Sequence, residues 1–175
     1  MVAGYCWNWK KEGKSDTNVK DIQIKEHDFS ISWNLNNSST WAIDENYVKE
    51  AGCIHTCQEL EFDYVGVIIG NDLRYENSKI TTDFFQRANT DRSIRGLKGM
   101  YKKNPQEALE LADEIIKNTY RTLMTRGQKG CYIYCTDKNL SEYLKKRLNQ
   151  TDKVIRYIPA GSDYGWSMAA EDELD

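Results

Sequence analysis

The sequence predicts a three-layer α/β domain built on a mostly parallel sheet, and three observations carry that expectation. Val65 to Ile69, "VGVII", is apolar at every position between Asp63 and Gly70, which marks a strand buried on both faces and implies helices above and below it. Asn104 to Arg126 is helix-periodic, with a signal at each end. Cys131 to Cys135, "CYIYC", is β-prone and precedes a second amphipathic stretch. Strand, helix, strand, helix is the grammar of parallel strands joined by right-handed crossovers.

Length and composition fit this class. A chain of 175 residues is of a size to fold around one core. With 39% hydrophobic and 29% charged residues, two prolines, five Trp and eleven Tyr, it has the apolar mass of a folded domain and not the profile of a disordered chain. The net charge of -3 provides no overall attraction to phosphate backbones, so any nucleic-acid contact must come from locally grouped cations. Five cysteines, an odd number, no opening apolar signal and no apolar run near ~20 residues point to a reduced, cytoplasmic protein without a membrane span.

Taken in order, Val2 to Trp9, "VAGYCWNW", reads as a buried strand, so close to Met1 that a fragment of a longer protein is expected. Lys10 to Asp21 is polar and reads as a surface loop. Ile22 to Ile43 holds short extended segments around the turn "NLNNSS", with Trp33 and Trp41 as packing residues. "CIHT" reads as a strand, with His55, Thr56, Gln58 and Glu61 emerging from its end, where ligands of open α/β sheets bind. The same residues also read as a loop whose polar groups cap the next element.

The long helix has Asn104 as cap, Pro105 at its first position, Glu107 completing a capping box, and apolar residues at Ala108, Leu111, Ala112, Ile115, Thr119 and Leu123. Gly127 reads as its stop. Arg126, in the last turn, fits the helix dipole as a C-terminal cation. It equally fits an arginine finger, a fixed charge placed against a transferring phosphoryl group. The second helix runs about Asn139 to Asn149, with Leu140, Tyr143, Leu144 and Leu148 on one face. Residues 1–150 are read as the domain, and 151–175 as a C-terminal strand and an acidic, poorly ordered tail.

Two strings, "IHTCQELEFDYV" and "YRTLMTRG", resemble the fifth and sixth signature motifs of superfamily-one helicases. "GYCW", "GCIHTCQELEFDYVGVIIGNDLRYEN", "NTYRTLMTRGQKGCYIYCTD" and "EYLK" are similar to the Schlafen-group-3-like DNA/RNA helicase domain family, a bacterial domain family, over about Ala3 to Leu148. The resemblance implies a RecA-like P-loop NTPase fold and the second of two motor domains. It implies that Arg126 is the arginine finger and that Gln58, Glu61, Arg126 and Gly127 face the nucleotide. His55 and Thr56 would couple that site to a single strand of DNA or RNA, with Arg92, Arg95 and Lys98 from the densest basic stretch, which Lys102 and Lys103 extend, as strand contacts.

ATP and Mg2+ would be bound in the full-length parent, against its N-terminal RecA-like domain, and not tightly by this chain alone. The chain has no G-x-x-x-x-G-K-[ST] phosphate loop, and Glu59 stands where the family pattern has glycine. Both features also suit a non-catalytic regulatory or interaction domain of the same shape. A zinc site was the alternative chemistry, from Cys53, His55 and Cys57 on one strand face with Cys131 and Cys135. C-x₂₋₄-C knuckles in turns are lacking, and no metal is expected. Cys57 or Cys53 as a nucleophile with His55 has no oriented partner.

Overall fold

The computed structural model describes residues 1–8, 18–33, 50–57 and 60–149. In chain order they form β1 (Val2–Ala3), β2 (Ile22–Ile24), β3 (Phe29–Trp33), β4 (Glu50–Ala51), α1 (Ile54–Cys57), β5 (Phe62–Ile69), β6 (Leu73–Glu76), β7 (Lys79–Thr82), α2 (Leu97–Lys103), α3 (Pro105–Met124), β8 (Gly127–Cys135) and α4 (Lys138–Asn149). The sequence expectations for Trp41, for the turn after Trp33, for Gln58 and for residues 151–175 lie outside the described residues.

β5 is the centre of a parallel sheet, paired with β1 on one side (Val2↔Val67) and β8 on the other (Val65↔Cys131). Hydrogen bonds from Ala3 N to Gly52 O and from Gly52 N to Met1 O, both 2.9 Å, stitch the chain just after β4 to the free edge of β1. β4 pairs in parallel with β3, and β3 pairs antiparallel with β2. The expected mixed α/β, mostly parallel architecture is present.

Period 2 sorts β5 into two faces. Val65, Val67 and Ile69 point into a core with Ala112, Ile116, Tyr120 and Leu123 of α3 and Leu140 of α4. Ile68 points the other way, to Ala3, Ile22, Ile31 and Trp33. Among the described residues this second layer is the β2–β3 hairpin, where a helix was expected. Fully burying one such branched or aromatic side chain contributes about 1.5–3 kcal/mol, so the two clusters fix the hairpin and the helices to opposite faces. Coverage ends toward the start of β5, leaving Tyr64 and Tyr132 of β8 more than half exposed.

α3 begins as its sequence predicts. The Asn104 side chain accepts from Glu107 N at 3.4 Å, with Pro105 in the first turn. The return arm of the capping box differs: Asn104 Nδ2 donates to Glu107 Oε2 at 2.9 Å. The Asn104 backbone N–H is already committed to Met100 O, closing α2, so one residue ends one helix and starts the next. The buried stripe is Ala108, Ala112, Ile116, Thr119, Tyr120 and Leu123, and Leu111 lies outside it, 39% exposed.

Gly127 does not stop α3 by a left-handed turn. It opens β8, and among the described residues the positive-φ glycine is Gly96. What Gly127 provides is closeness: a Cβ there would fall against the Gly130 carbonyl oxygen and 3.0 Å from Val65 Cγ1. "CIHT" is not a strand either, because its last three residues lie in the one-turn helix α1. Thr56 Oγ1 accepts from Cys53 N at 2.8 Å and donates to Cys53 O at 3.0 Å, closing that turn locally. The alternation that would have set Cys53, His55 and Cys57 on one face is therefore absent, and with it the geometric basis of the zinc alternative.

Candidate functional site

Parallel pairing decides where the end of α3 must lie. β5 and β8 start at the same edge of the sheet, so the residues before them meet: Phe62 N donates to Arg126 O at 2.8 Å. Glu61, exposed and one residue earlier, accepts from Gln128 Nε2 at 2.5 Å. Arg126 is half-buried, and its Nε donates to Thr122 O at 3.2 Å, back along the last turn of α3. Lys129 pairs with Asp63 at 2.8 Å on the surface beside them.

α1 packs against this junction. Cys57 is fully buried. Burial, reinforced by the neighbouring Cys53, pushes its thiol up to about 11, while the positive charge of Arg126 acts in the opposite direction. The structure thus gathers Glu61, Arg126, Gly127 and the end of α1 at the amino edge of the sheet. A cation and a carboxylate on one rim can meet an anionic group and its polar surroundings, but this edge has no glycine-rich phosphate cradle of its own.

His55, Arg92, Arg95 and Lys98 lie elsewhere. The His55 ring is exposed and sits edge-on to Tyr5, with centroids 5.9 Å apart, just past the carboxyl end of β1. Tyr5 O accepts from Ala88 N at 2.7 Å, and Asn8 Oδ1 from Asn89 N at 3.2 Å. These bonds tether the segment that carries the arginines to the same carboxyl edge. Arg92, Arg95 and Lys98 line a groove of about 350 Å³ there, with Lys98 Nζ donating to Asn89 Oδ1 at 3.0 Å. Glu61, Arg126 and Gly127 therefore lie at the edge opposite most of the expected strand residues, while Thr56 is engaged in its own helical turn.

At the carboxyl edge, just past the end of β5, lies a buried polar cluster that sequence reasoning missed. Tyr120 OH accepts from Gly70 N at 3.0 Å and donates to Asp72 Oδ1 at 2.5 Å. Arg87 stands 3.7 Å from Asp72 and 2.6 Å from Asp91, and all three are buried. Burial raises the Asp72 carboxyl, with Arg87 opposing; burial and then Asp72 hold the Tyr120 hydroxyl well above its ordinary value, so it stays a donor. The available signal was a charged residue, Asp72, directly after an apolar strand. Its partners at Arg87 and Tyr120 are too far along the chain for spacing to reveal.

The family profile of the Schlafen group 3 DNA/RNA helicase domain matches residues 1–137, more than three quarters of the chain, and the chain belongs to that family. An uncharacterized protein of Saccharomyces cerevisiae is 27% identical over 148 residues, 82% of this chain and 30% of the yeast protein. The chain thus spans less than a third of that relative's length. No solved structure matches. No helix among the described residues is long and apolar enough to cross a membrane, and all five cysteines are free.

Proposed function

We propose that this chain is the second, RecA-like motor domain of an ATP-dependent DNA or RNA helicase or translocase, contributing Arg126 to a nucleotide site completed by a first motor domain. The observation that carries the reading is the amino-edge junction. There Arg126 is held by its backbone to Phe62 and by its Nε to the last turn of α3, beside Glu61. A guanidinium positioned at the end of a rigid helix is suited to stabilise charge developing on a transferring phosphoryl group.

This edge fits half of an ATP site. It offers a cation and polar neighbours, while the phosphate loop and the acidic magnesium ligands would come from the other domain. ATP with Mg2+, bound there, supplies the phosphoryl chemistry. The residues of this chain supply charge and closure: shutting the cleft brings Arg126 onto the phosphates, and opening it shifts the grip on a strand. His55, Arg92, Arg95 and Lys98 at the carboxyl edge are the proposed strand contacts.

The isolated chain is expected not to hydrolyse ATP above an Arg126→Ala control. Joined to its first motor domain, the same substitution is expected to abolish turnover with little loss of ATP binding, as measured by phosphate release and nucleotide titration. An unchanged rate would remove Arg126 from the role. A second reading, a non-catalytic interaction domain of the same shape, is favoured by the Gln128–Glu61 hydrogen bond, which occupies that carboxylate. It predicts no turnover in any domain combination.

A further inference from the structure

Twelve residues, Arg92 to Lys103, contain five cations and no acid, in a chain whose net charge is -3. Arg74, Arg87, Lys117, Lys129 and Lys138 each form an ion pair with a carboxylate, whereas Arg92, Arg95, Lys98, Lys102 and Lys103 form none among the described residues. The nearest acid in sequence, Asp91, is buried and committed to Arg87 and Ser93.

An aromatic pair adjoins these cations. In the tight turn Phe84–Gln86, Phe84 fills the core, while Phe85 is held outward and is 51% exposed. The turn is fixed by Asp83, whose Oδ1 accepts from Phe85 N at 2.9 Å. The Phe85 ring stacks on Phe84, with centroids 4.2 Å apart, and meets Tyr101 edge-on at 5.4 Å. On α2, Lys98 and Lys102 flank Tyr101 at the spacing that places all three on one helical face. A half-exposed ring, supported from behind and bordered by unneutralised cations, has the two elements that single strands require: a stacking surface and counter-charge for the backbone.

We propose that Phe85, stacked on Phe84 and braced edge-on by Tyr101, is a base-stacking platform for single-stranded nucleic acid, and that Arg92, Arg95, Lys98 and Lys102 hold the phosphates on either side of the stacked base. This rests on the nucleic-acid reading above and adds to it the recognition of bases irrespective of their identity. Every base has a stacking face.

The test uses the purified chain, fluorescence anisotropy, and three labelled probes: a thymidine homopolymer, an abasic strand of equal length, and a polyglutamate peptide. Phe85→Ala is expected to weaken thymidine-strand binding by about 5- to 150-fold and leave the salt dependence unchanged. The abasic strand should bind wild type and Phe85→Ala alike, and Phe85→Trp should restore affinity. Arg92→Ala/Arg95→Ala/Lys98→Ala should instead flatten the dependence of log K on log salt by about 2, on both strands.

If Phe85→Ala binds the thymidine strand as wild type does while the triple variant is weakened, the platform is wrong and the nucleic-acid reading stands. If wild type binds neither strand at low salt, that reading fails and the platform with it. If polyglutamate binds as tightly as the thymidine strand, the face is a docking site for acidic protein and the proposal is overturned.

Discussion

Replacing Tyr120 by Phe deletes one oxygen atom and keeps the ring, so its effect isolates the hydroxyl at the middle of the fold. That oxygen accepts from Gly70 N and donates to Asp72, joining α3 to the carboxyl end of β5 and to a carboxylate with no exposed surface. A neutral hydrogen bond contributes about 1 kcal/mol and one to a charged group about 1.5–3 kcal/mol, and orphaning buried partners keeps the loss near the upper end. Asp72 would keep Arg87, at 3.7 Å, and the Cys6 thiol as partners, while Gly70 N would be left without its acceptor. The expected destabilisation is about 3 kcal/mol, or a fall in Tm of roughly 6–12 °C at 2–4 °C per kcal/mol. Urea titration followed by tryptophan fluorescence, alongside a thermal melt, would measure it. A loss under about 1 kcal/mol with an unchanged m-value would refute the claim that this hydroxyl organises the centre of the domain.

Two further outcomes are expected. Gly127→Ala drives a methyl against the Gly130 carbonyl and Val65 and should cost about 1–3 kcal/mol by overpacking. The Phe62 amide should then lose hydrogen-exchange protection, and unchanged protection would contradict the close approach. The Cys57 and Cys135 thiols are both pushed up to about 11 from an ordinary 9.0, chiefly by burial. Their folded values thus lie above the unfolded one, and their contribution to stability is complete below pH 9 and lost as pH rises through about 11. Melts across this window should fall in wild type and fall less in Cys57→Ala/Cys135→Ala, each compared with its own value at pH 8.

What the sequence revealed depended on the range of the signals. α3 was legible because Asn104, Pro105 and a repeat over twenty residues agree with one another. Its buried stripe was read one position off because the repeat was followed through Leu111 and Ile115, whereas Ile116 and Tyr120 carry the buried face. "CIHT" misled because a single turn is too short to display a period and Ile, Thr and Cys are at home in strands. A local side-chain bond from Thr56 decides the matter. The β6–β7 hairpin escaped notice because its turn, Asn77–Ser78, reaches φ of 51° and 62° without a glycine to announce it. The meeting of Arg126 and Glu61 at one edge was foreseeable, since parallel strands bring their preceding residues together. The Asp72–Arg87–Tyr120 cluster was not, since it depends on tertiary packing alone.

The room for Tyr120 and Cys6 is created by two glycines. A Cβ on Gly4 would run into the Tyr120 hydroxyl end, and one on Gly70 into the Cys6 side chain. These are two size locks sharing one chamber, and a lock of this kind constrains pairs of positions where neither position alone is constrained. Randomising the four residues together and selecting for folded protein should return combinations in which a gain at 4 or 70 accompanies a loss at 120 or 6. Alanine at Gly4 alone should be rejected, and it should be better tolerated beside Tyr120→Leu than beside Tyr120→Phe, because ring carbons that Phe keeps also lie within 3.0 Å of the added methyl. Divergent relatives could then cross from one solution to the other only in two steps, with the ring at 120 giving way first.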